Sequence, residues 1–361
     1  METSSLTLSE QAGRLLFIGI TGPEINVSTR ELLERVKPGG VCLFARNIRE
    51  ASQTRELLDG VRELLGADVL LSVDQEGGTV DRLRRIMSPM PAAAALRIAA
   101  DAEELGTIAA EALRTLGFNM DFAPVVDVVD QDRTAYSRGL ASRTFGSSRE
   151  DVAAMAGPFL NALQRGGVVG CLKHFPGLGA ATVDSHEELP RVDISRRELE
   201  ATDLYPYRLL LPQTRCVMAA HAAYIGTGLQ ETAQNGKLIP SSLSHAFITK
   251  LLRDELAFDG LVITDDLEMG AIVKNFGIGE ASKMAIAAGA DMVAICAQPD
   301  AIRSAHDAVL SAAANDDIDI TSALSRIGKI KKIVSPPLPF DTGRLDALSA
   351  RNAELAARLS R

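Results

Sequence analysis

Eight apolar segments, spaced through the whole chain, constrain the fold more than any other feature of the sequence. Each segment is continuous rather than alternating, which is typical of strands that are buried on both faces of a parallel sheet. Helical patterns lie between them, including one apolar stripe from Leu105 to Leu116 and another from Val152 to Leu163. The segments are LLFIGI (15–20), GVCLFA (40–45), VLLSVD (69–74), MDFAPVVD (120–127), VVGCLKHF (168–175), CVMAAHAAY (216–224), LVITDD (261–266) and MVAIC (292–296).

Strand and helix units in one regular series predict an α/β fold of the (β/α)8 TIM-barrel type. A doubly wound open sheet is the alternative, but the series has no boundary linker that would divide it. The chain of 361 residues is long enough for the barrel and a few insertions. We predict a single catalytic domain over residues 1–334, followed by a proline-containing linker and a C-terminal helix over 335–361.

Charge and cysteine content narrow the class of protein. A formal net charge of −9 argues against a nucleic-acid partner, because no basic field attracts phosphates. The initial METSSLTLSEQAG lacks the basic and apolar regions of a secretory signal, and no apolar run reaches membrane-spanning length. The four cysteines are far apart and lie in apolar runs, as buried free thiols do. We therefore expect a cytoplasmic protein with no membrane partner.

Polar side chains follow the predicted strands at their carboxyl ends, where the chemistry of α/β folds gathers. Asp74 ends the third strand, Lys173 and His174 end the fifth, His221 ends the sixth, and Asp265 and Asp266 end the seventh. Each residue alone has a structural explanation, as a helix cap or an ion-pair partner. Together they predict one enzymatic mouth at this end of the barrel. Further polar residues at the same end are Arg46, Glu76, Arg82, Asp127 and Arg143.

The stretch KHFPGLGAATVDSH (173–186) admits two interpretations. Its glycines imitate a dinucleotide-binding loop, but that loop requires a third glycine that opens a helix. Thr182 stands at that position, and the residues that follow contain Pro190 and have no apolar stripe. We therefore predict an extended loop and no nicotinamide or flavin cofactor, which leaves Asp184 and His186 as an acid/base pair. No metal is expected either, because no third histidine lies near this pair.

Seven motifs, in order through most of the chain, resemble family 3 glycoside hydrolases. The resemblance is strongest to the single-domain bacterial β-N-acetylglucosaminidases of peptidoglycan recycling. That family has a (β/α)8 barrel, in agreement with the strand count. The motifs are GGVCLFARNI, VDQEGGTVDRL, NMDFAPVVDV, SRTFG, KHFPGLG followed by DSH, VITDDLEM and AIAAGADMV.

The resemblance implies residue roles as well as a fold. It implies a retaining mechanism with no cofactor or metal, in which Asp265 is the nucleophile that forms a covalent glycosyl-enzyme. The acid/base is then His186, assisted by Asp184, since an imidazole titrates near neutrality and a carboxylate can fix its tautomer. The implied contacts to a terminal N-acetylglucosamine come from Asp74, Arg82, Arg143, Lys173 and His174.

The implied substrate is a peptidoglycan fragment, from which an exo-acting β-N-acetylglucosaminidase would release N-acetylglucosamine. The expected partner is thus a small carbohydrate, a GlcNAc-containing muropeptide, and we expect the enzyme to be a monomer. A phosphorylase, a β-glucosidase of the same family and a catalytically silent sugar-binding barrel remain alternatives. The chain departs from the family's common pattern at Leu178, where a histidine is usual, and at Ala180-Ala181, where Asp-Thr is usual. We expect these positions to shape the loop and its glycines to allow the loop to move.

Overall fold

The computed structural model describes residues 6–135, 139–181 and 188–361. Its centre is a closed barrel of parallel strands, in which each strand pairs with its neighbours in the chain and the last pairs with the first. The predicted (β/α)8 barrel is confirmed. The strands are β1 (Leu16–Gly19), β2 (Gly40–Leu43), β3 (Leu70–Val73), β4 (Met120–Asp121), β5 (Val169–Phe175), β6 (Cys216–Ala219), β7 (Leu261–Asp266) and β8 (Met292–Ile295).

Helices follow the strands and form the outer layer of the barrel. They are α1 (Val27–Val36), α2 (Ala51–Leu65), α3 (Ala99–Leu116), α4 (Arg149–Arg165), α5 (Leu204–Leu210), α6 (Ala246–Glu255), α7 (Ile278–Ala287) and α8 (Pro299–Ala314). Both apolar stripes predicted from the sequence lie on helices, within α3 and α4, and face the core. Helix α6 has π-type hydrogen bonding, in which the N–H of Leu256 donates to the carbonyl of Leu251 at 2.9 Å.

Further short elements lie outside this series. Helices span Leu8–Arg14 before β1, and Thr321–Lys331 and Thr342–Leu359 after α8. Single helical turns are Ala93–Ala95, Arg196–Glu198, Leu199–Asp203, Leu211–Gln213, Ile225–Thr227, Ser241–Leu243 and Gly270–Val273. Two-residue and three-residue strands form two small sheets, Gln75–Gly77 with Val80–Asp81 and Arg191–Val192 with Ala223–Tyr224.

The continuous apolar runs become strands because both of their faces are buried. Neighbouring strands match in parallel register, as where Val41 lies beside Leu71, and both side chains are fully buried. Strand β4 is shorter than its apolar run, because Pro124 has no N–H to donate to the ladder. The run CVMAAHAAY likewise divides, with His221 between β6 and the small sheet formed by Ala223–Tyr224.

The C-terminal helix, Thr342–Leu359, packs on α3 and buries Leu345, Leu348 and Leu355. Its Asn352 is fully buried, and the amide nitrogen donates to the carbonyl oxygen of Ser88 at 2.8 Å. The helix thus contacts the segment that follows β3. None of the helices in the described ranges has both the length and the apolar character needed to cross a membrane.

Candidate active site

Lys173 is the centre of the charged cluster at the carboxyl ends of the strands. Its Nζ lies 2.7 Å from Oδ1 of Asp74 and 2.6 Å from Oε1 of Glu76. The side chain is only 2% exposed, so the two carboxylates take the place of water. Burial alone would lower the pKa of Lys173, but Asp74 and Glu76 raise it above its ordinary value. The lysine is therefore a permanent cation that links β5 to the loop after β3.

Glu76 joins this lysine to Arg143, which comes from the loop after β4. Nε and Nη2 of Arg143 donate to the two oxygens of Glu76 at 2.7 and 2.9 Å, a bidentate pair. Burial raises the pKa of Glu76, yet the charges and hydrogen bonds of Lys173 and Arg143 lower it to about 2. One buried carboxylate thus fixes two of the predicted sugar-binding cations.

His174 is held by a second buried carboxylate, Asp127, which follows β4. Oδ2 of Asp127 lies 2.7 Å from Nδ1 of His174, and Oδ1 accepts the backbone N–H of Leu178 at 2.7 Å. Asp127 is fully buried, whereas the His174 side chain is 7% exposed. The Lys173–His174 peptide bond is cis. Asp127 therefore connects the imidazole at the end of β5 to the first residues of the following loop.

Asp265 lies at the end of β7, on the far side of the cluster from β3. Its Oδ1 accepts the backbone N–H of Asp266 at 2.8 Å. Burial alone would raise the pKa of Asp265, but its electrostatic interactions with His174 and His221 and the hydrogen bond from the Asp266 N–H lower the pKa below its ordinary value. The carboxylate is consequently ionised at neutral pH, in a setting that excludes most water.

Asp266 has a different environment from its neighbour. Its Oδ1 accepts the backbone N–H groups of Glu268 and Cys296, at 3.0 and 3.2 Å, and so connects the loop after β7 to the end of β8. Burial raises the pKa of Asp266 to about 7. The Asp266 side chain thus joins two backbone segments, which distinguishes it from Asp265.

Arg82 belongs to the same mouth as Asp74 and Lys173. Burial raises the pKa of the Cys42 thiol inside the barrel, and the negative charge of Asp74 raises it further. The positive charges of Lys173 and Arg82 lower the same pKa. All three charged side chains therefore interact with this one thiol. The backbone N–H of Arg82 donates to Oε1 of Gln75 at 2.9 Å. Within the described residues, its buried Nε has no hydrogen-bond partner.

Asp184 and His186, the predicted acid/base pair, lie outside the described residues. The first part of their loop is described. A Cβ on Gly179 would lie 1.8 Å from the carbonyl oxygen of Val128, so this glycine is required by close packing. Gly177 has φ +132° and lies against Asp203. Gly177 and Gly179 therefore lie in close packing contacts at the base of the loop.

The residues that replace the family's common ones belong to the hydrophobic core. Leu178, Ala180 and Ala181 are 7%, 8% and 9% exposed and pack with the main apolar cluster. In the described ranges, no group of three His, Cys, Asp or Glu side chains is placed to hold a metal ion.

The structure brings together Asp74, Arg82, Arg143, Lys173, His174 and Asp265, which the sequence placed at separate strand ends. Glu76, Asp127 and His221, which the sequence placed at the mouth without an individual role, are buried and hold other residues of the cluster. Each of them follows a strand, and this position is the signal available in the sequence. Their importance depends on partners from other strands, which no local pattern identifies.

Comparison with known proteins identifies the family. The sequence matches the N-terminal domain of glycosyl hydrolase family 3 over residues 7–330. The chain belongs to this family. A β-hexosaminidase of Pseudomonas aeruginosa (strain LESB58) is 36% identical over 289 residues, which cover 78% of this chain and 82% of that relative.

Solved structures of family 3 enzymes have the same architecture. A family 3 β-N-acetylglucosaminidase from Paenibacillus sp. str. FPU-7 matches with a TM-score of 0.85 and 31% identity, over 97% of this chain and 69% of that chain. NagZ from Neisseria gonorrhoeae, in complex with N-trifluoroacetyl-D-glucosamine, matches with a TM-score of 0.77 and 26% identity, over 96% of this chain and 98% of that chain. The resemblance drawn from the motifs is confirmed, and the protein is a glycoside hydrolase.

Proposed function

We propose that the protein is an exo-acting, retaining β-N-acetylglucosaminidase that releases N-acetylglucosamine from peptidoglycan fragments. The observation that carries the proposal is the Asp265 carboxylate at the end of β7, which accepts the Asp266 N–H at 2.8 Å and whose pKa is lowered by electrostatic interactions with His174, His221 and Lys173. Such a carboxylate can attack an oxocarbenium-like anomeric carbon and leave again. The names of the Pseudomonas aeruginosa and Paenibacillus relatives support the choice of sugar.

The neighbouring charged side chains suit the hydroxyl groups of one terminal sugar. Asp74 is 16% exposed and can accept from a hydroxyl while it pairs with Lys173. Asp127 engages Nδ1 of His174, which leaves Nε2 for the sugar, and the partly exposed Arg82 is a further donor. Arg143, fixed by Glu76, completes the set. Polar groups that are already oriented discriminate strongly, because a sugar without the matching hydroxyl leaves them unpaired.

In this proposal His186, assisted by Asp184, protonates the leaving oxygen and then activates water. A histidine carries this role at neutral pH because its ordinary pKa lies near the working pH. His186→Ala is then expected to retain far more activity on a substrate with a good leaving group, such as a nitrophenyl glycoside, than on a muropeptide. Equal losses on both substrates would contradict the role of His186.

Covalent labelling tests the nucleophile directly. A fluorinated N-acetylglucosamine analogue with an activated leaving group should label the wild type, and peptide mapping should find the label on Asp265. Asp265→Asn should abolish labelling, whereas Asp266→Asn should remain labelled, because its amide oxygen can still accept the N–H groups of Glu268 and Cys296. A wild type that binds the sugar without being labelled would instead be a sugar-binding barrel.

Product analysis separates the remaining alternatives. Release of free N-acetylglucosamine from a muropeptide in phosphate buffer is expected, and formation of a sugar 1-phosphate would identify a phosphorylase instead. Comparison of nitrophenyl N-acetylglucosaminide with nitrophenyl glucoside tests the sugar. Faster cleavage of the glucoside would overturn the proposed specificity in favour of a β-glucosidase.

A further inference from the structure

His221 is a fully buried histidine that occupies the gap between the ends of β6 and β7. Its Nε2 lies 3.0 Å from the backbone carbonyl oxygen of Asp266, and its Nδ1 lies 2.7 Å from Oγ of Ser242. Neither partner carries a charge. The imidazole therefore connects two loops and contacts the backbone of Asp266, the residue that follows Asp265.

The chemistry of these partners determines the tautomer of the ring. A carbonyl oxygen only accepts hydrogen bonds, so Nε2 of His221 must carry a proton and donate it to Asp266. The neutral ring then accepts at Nδ1 from the Ser242 hydroxyl, which can rotate to donate. Burial lowers the pKa of His221, in agreement with a neutral ring at physiological pH.

Hydrogen bonds to Ala220, which follows β6, hold Ser242 in position beside the imidazole. Its backbone N–H donates to the carbonyl of Ala220 at 3.1 Å, and Oγ of the adjacent Ser241 donates to the same carbonyl at 2.6 Å. Ser241 and Ser242 are both fully buried. The turn that carries Ser242 is thus attached to the end of β6, which provides a rigid support for His221.

Asp266, the residue that His221 contacts, in turn holds the Asp265 carboxylate. The Asp266 N–H donates to Oδ1 of Asp265, while the Asp266 carbonyl accepts from His221. We infer that His221, supported by Ser242, is a positioning residue that sets the orientation of the Asp265 carboxylate through the backbone of Asp266. This inference rests on the proposed role of Asp265 as the nucleophile. According to this inference, residues that follow β6 hold Asp265 of β7 in position.

Two amide substitutions separate the two contacts of the ring. The amide of glutamine reaches the position of Nε2 and can donate to the Asp266 carbonyl, whereas the shorter asparagine reaches only the position of Nδ1, near Ser242. His221→Asn should lower kcat and the rate of labelling by the fluorinated sugar about 100-fold, since a small misplacement of a reacting group is costly. KM should change less than about threefold, because the sugar contacts remain. His221→Gln should recover most of the lost rate.

The outcomes distinguish this inference from the proposed function. If the wild type is not labelled at Asp265, the proposed function fails. If the wild type is labelled and His221→Asn is labelled at the same rate, the function stands and the inference is overturned. Equal losses in the Asn and Gln variants would also overturn it, because restoring the donor would then have no effect.

The tautomer of His221 can be measured in the wild-type protein. Nitrogen NMR of the wild type at neutral pH, with the His221 signal assigned by its absence from His221→Gln, should show a neutral ring protonated at Nε2. Protonation at Nδ1 instead, or an imidazolium, would overturn the inference.

Discussion

At the scale of single residues, buried carboxylates organise the cations of the site. Glu76 is 3% exposed in its side chain and contacts both Lys173 and Arg143. Asp127 likewise contacts the His174 imidazole and accepts the backbone N–H of Leu178. A buried charge without a partner is strongly unfavourable, so these carboxylates and cations depend on one another. The charged cluster at the mouth of the barrel is in this sense one network rather than separate side chains.

Glu76→Gln tests this dependence. The substitution keeps the size of the side chain but leaves Lys173 and Arg143 with one negative charge fewer, so the free energy of unfolding should fall by about 3–5 kcal/mol. Chemical denaturation followed by circular dichroism measures the change. The control is Glu103→Gln, because Glu103 pairs with Arg165 at the surface and should contribute less than about 1 kcal/mol. Similar effects in both variants would contradict the network.

The stabilisation by Glu76 should also depend on pH in a defined direction. Its pKa falls from the ordinary value of 4.5 to about 2 in the folded protein. A lowered pKa stabilises the fold above the unfolded value, and that stabilisation is lost as the pH falls through the folded value. The difference in unfolding free energy between wild type and Glu76→Gln should therefore be constant above pH 5 and shrink between about pH 4.5 and pH 2. A difference that stays constant across this range would contradict the assignment.

At the scale of elements, the loop after β5 begins as part of the core. Leu178, Ala180 and Ala181 are buried, and the Tyr224 hydroxyl donates to the carbonyl of Gly177 at 2.8 Å. Arg133 and Asp203 form a buried ion pair with Nη1 and Oδ1 at 2.8 Å, and Arg133 also donates to the Val128 carbonyl beside Gly179. Residues 176–181 are therefore a fixed platform for the segment that contains Asp184 and His186.

Gly179→Ala tests the close packing of this platform. The added methyl group would meet the Val128 carbonyl at 1.8 Å, so unfolding free energy should fall by about 1–3 kcal/mol. We also expect kcat to fall at least about tenfold, because the segment with the proposed acid/base pair follows directly in the sequence. Gly22→Ala is the matched control, since nothing lies within 4 Å of its Cβ position. Full activity and stability in Gly179→Ala would contradict the close packing, because the backbone would then accommodate the added methyl group.

At the scale of the whole molecule, the end of the chain supports the mouth of the barrel. The segment after Arg82 contacts the C-terminal helix, where Ser88 accepts from Asn352 and its own N–H donates to Oγ of Ser349 at 2.8 Å. The N–H of Met90, in the same segment, donates to Asp81 at 3.0 Å. The helix Thr342–Leu359 thus stabilises the segment that follows Arg82.

Asn352→Ala should weaken this support. Loss of the buried hydrogen bonds should lower the free energy of unfolding by about 1–3 kcal/mol and raise KM more than it lowers kcat, since Arg82 is proposed to bind the sugar. Denaturation curves and steady-state kinetics measure the two effects. Glu354→Ala is the control, because Glu354 is exposed on the same helix. An unchanged KM in Asn352→Ala would show that the C-terminal helix does not affect sugar binding.

The sequence by itself determined the barrel and most of the side chains at its mouth. Continuous apolar runs specify strands buried on both faces, and the residue that ends each strand is then carried to a common edge. The motifs also identified the family. These features are local, so they can be recognised in a single sequence.

Only the tertiary structure decided which groups meet. Asp74 and Lys173 are 99 positions apart in the chain, and their contact depends on the way the barrel closes. The same holds for the pairing of Glu76 with Arg143 and for the contact of His221 with the Asp266 carbonyl. Gly179, one of the loop glycines, is a packing position because the carbonyl oxygen of Val128 lies against it. Burial and partner geometry are properties of the closed barrel, and they set the charges and orientations on which the proposed chemistry depends.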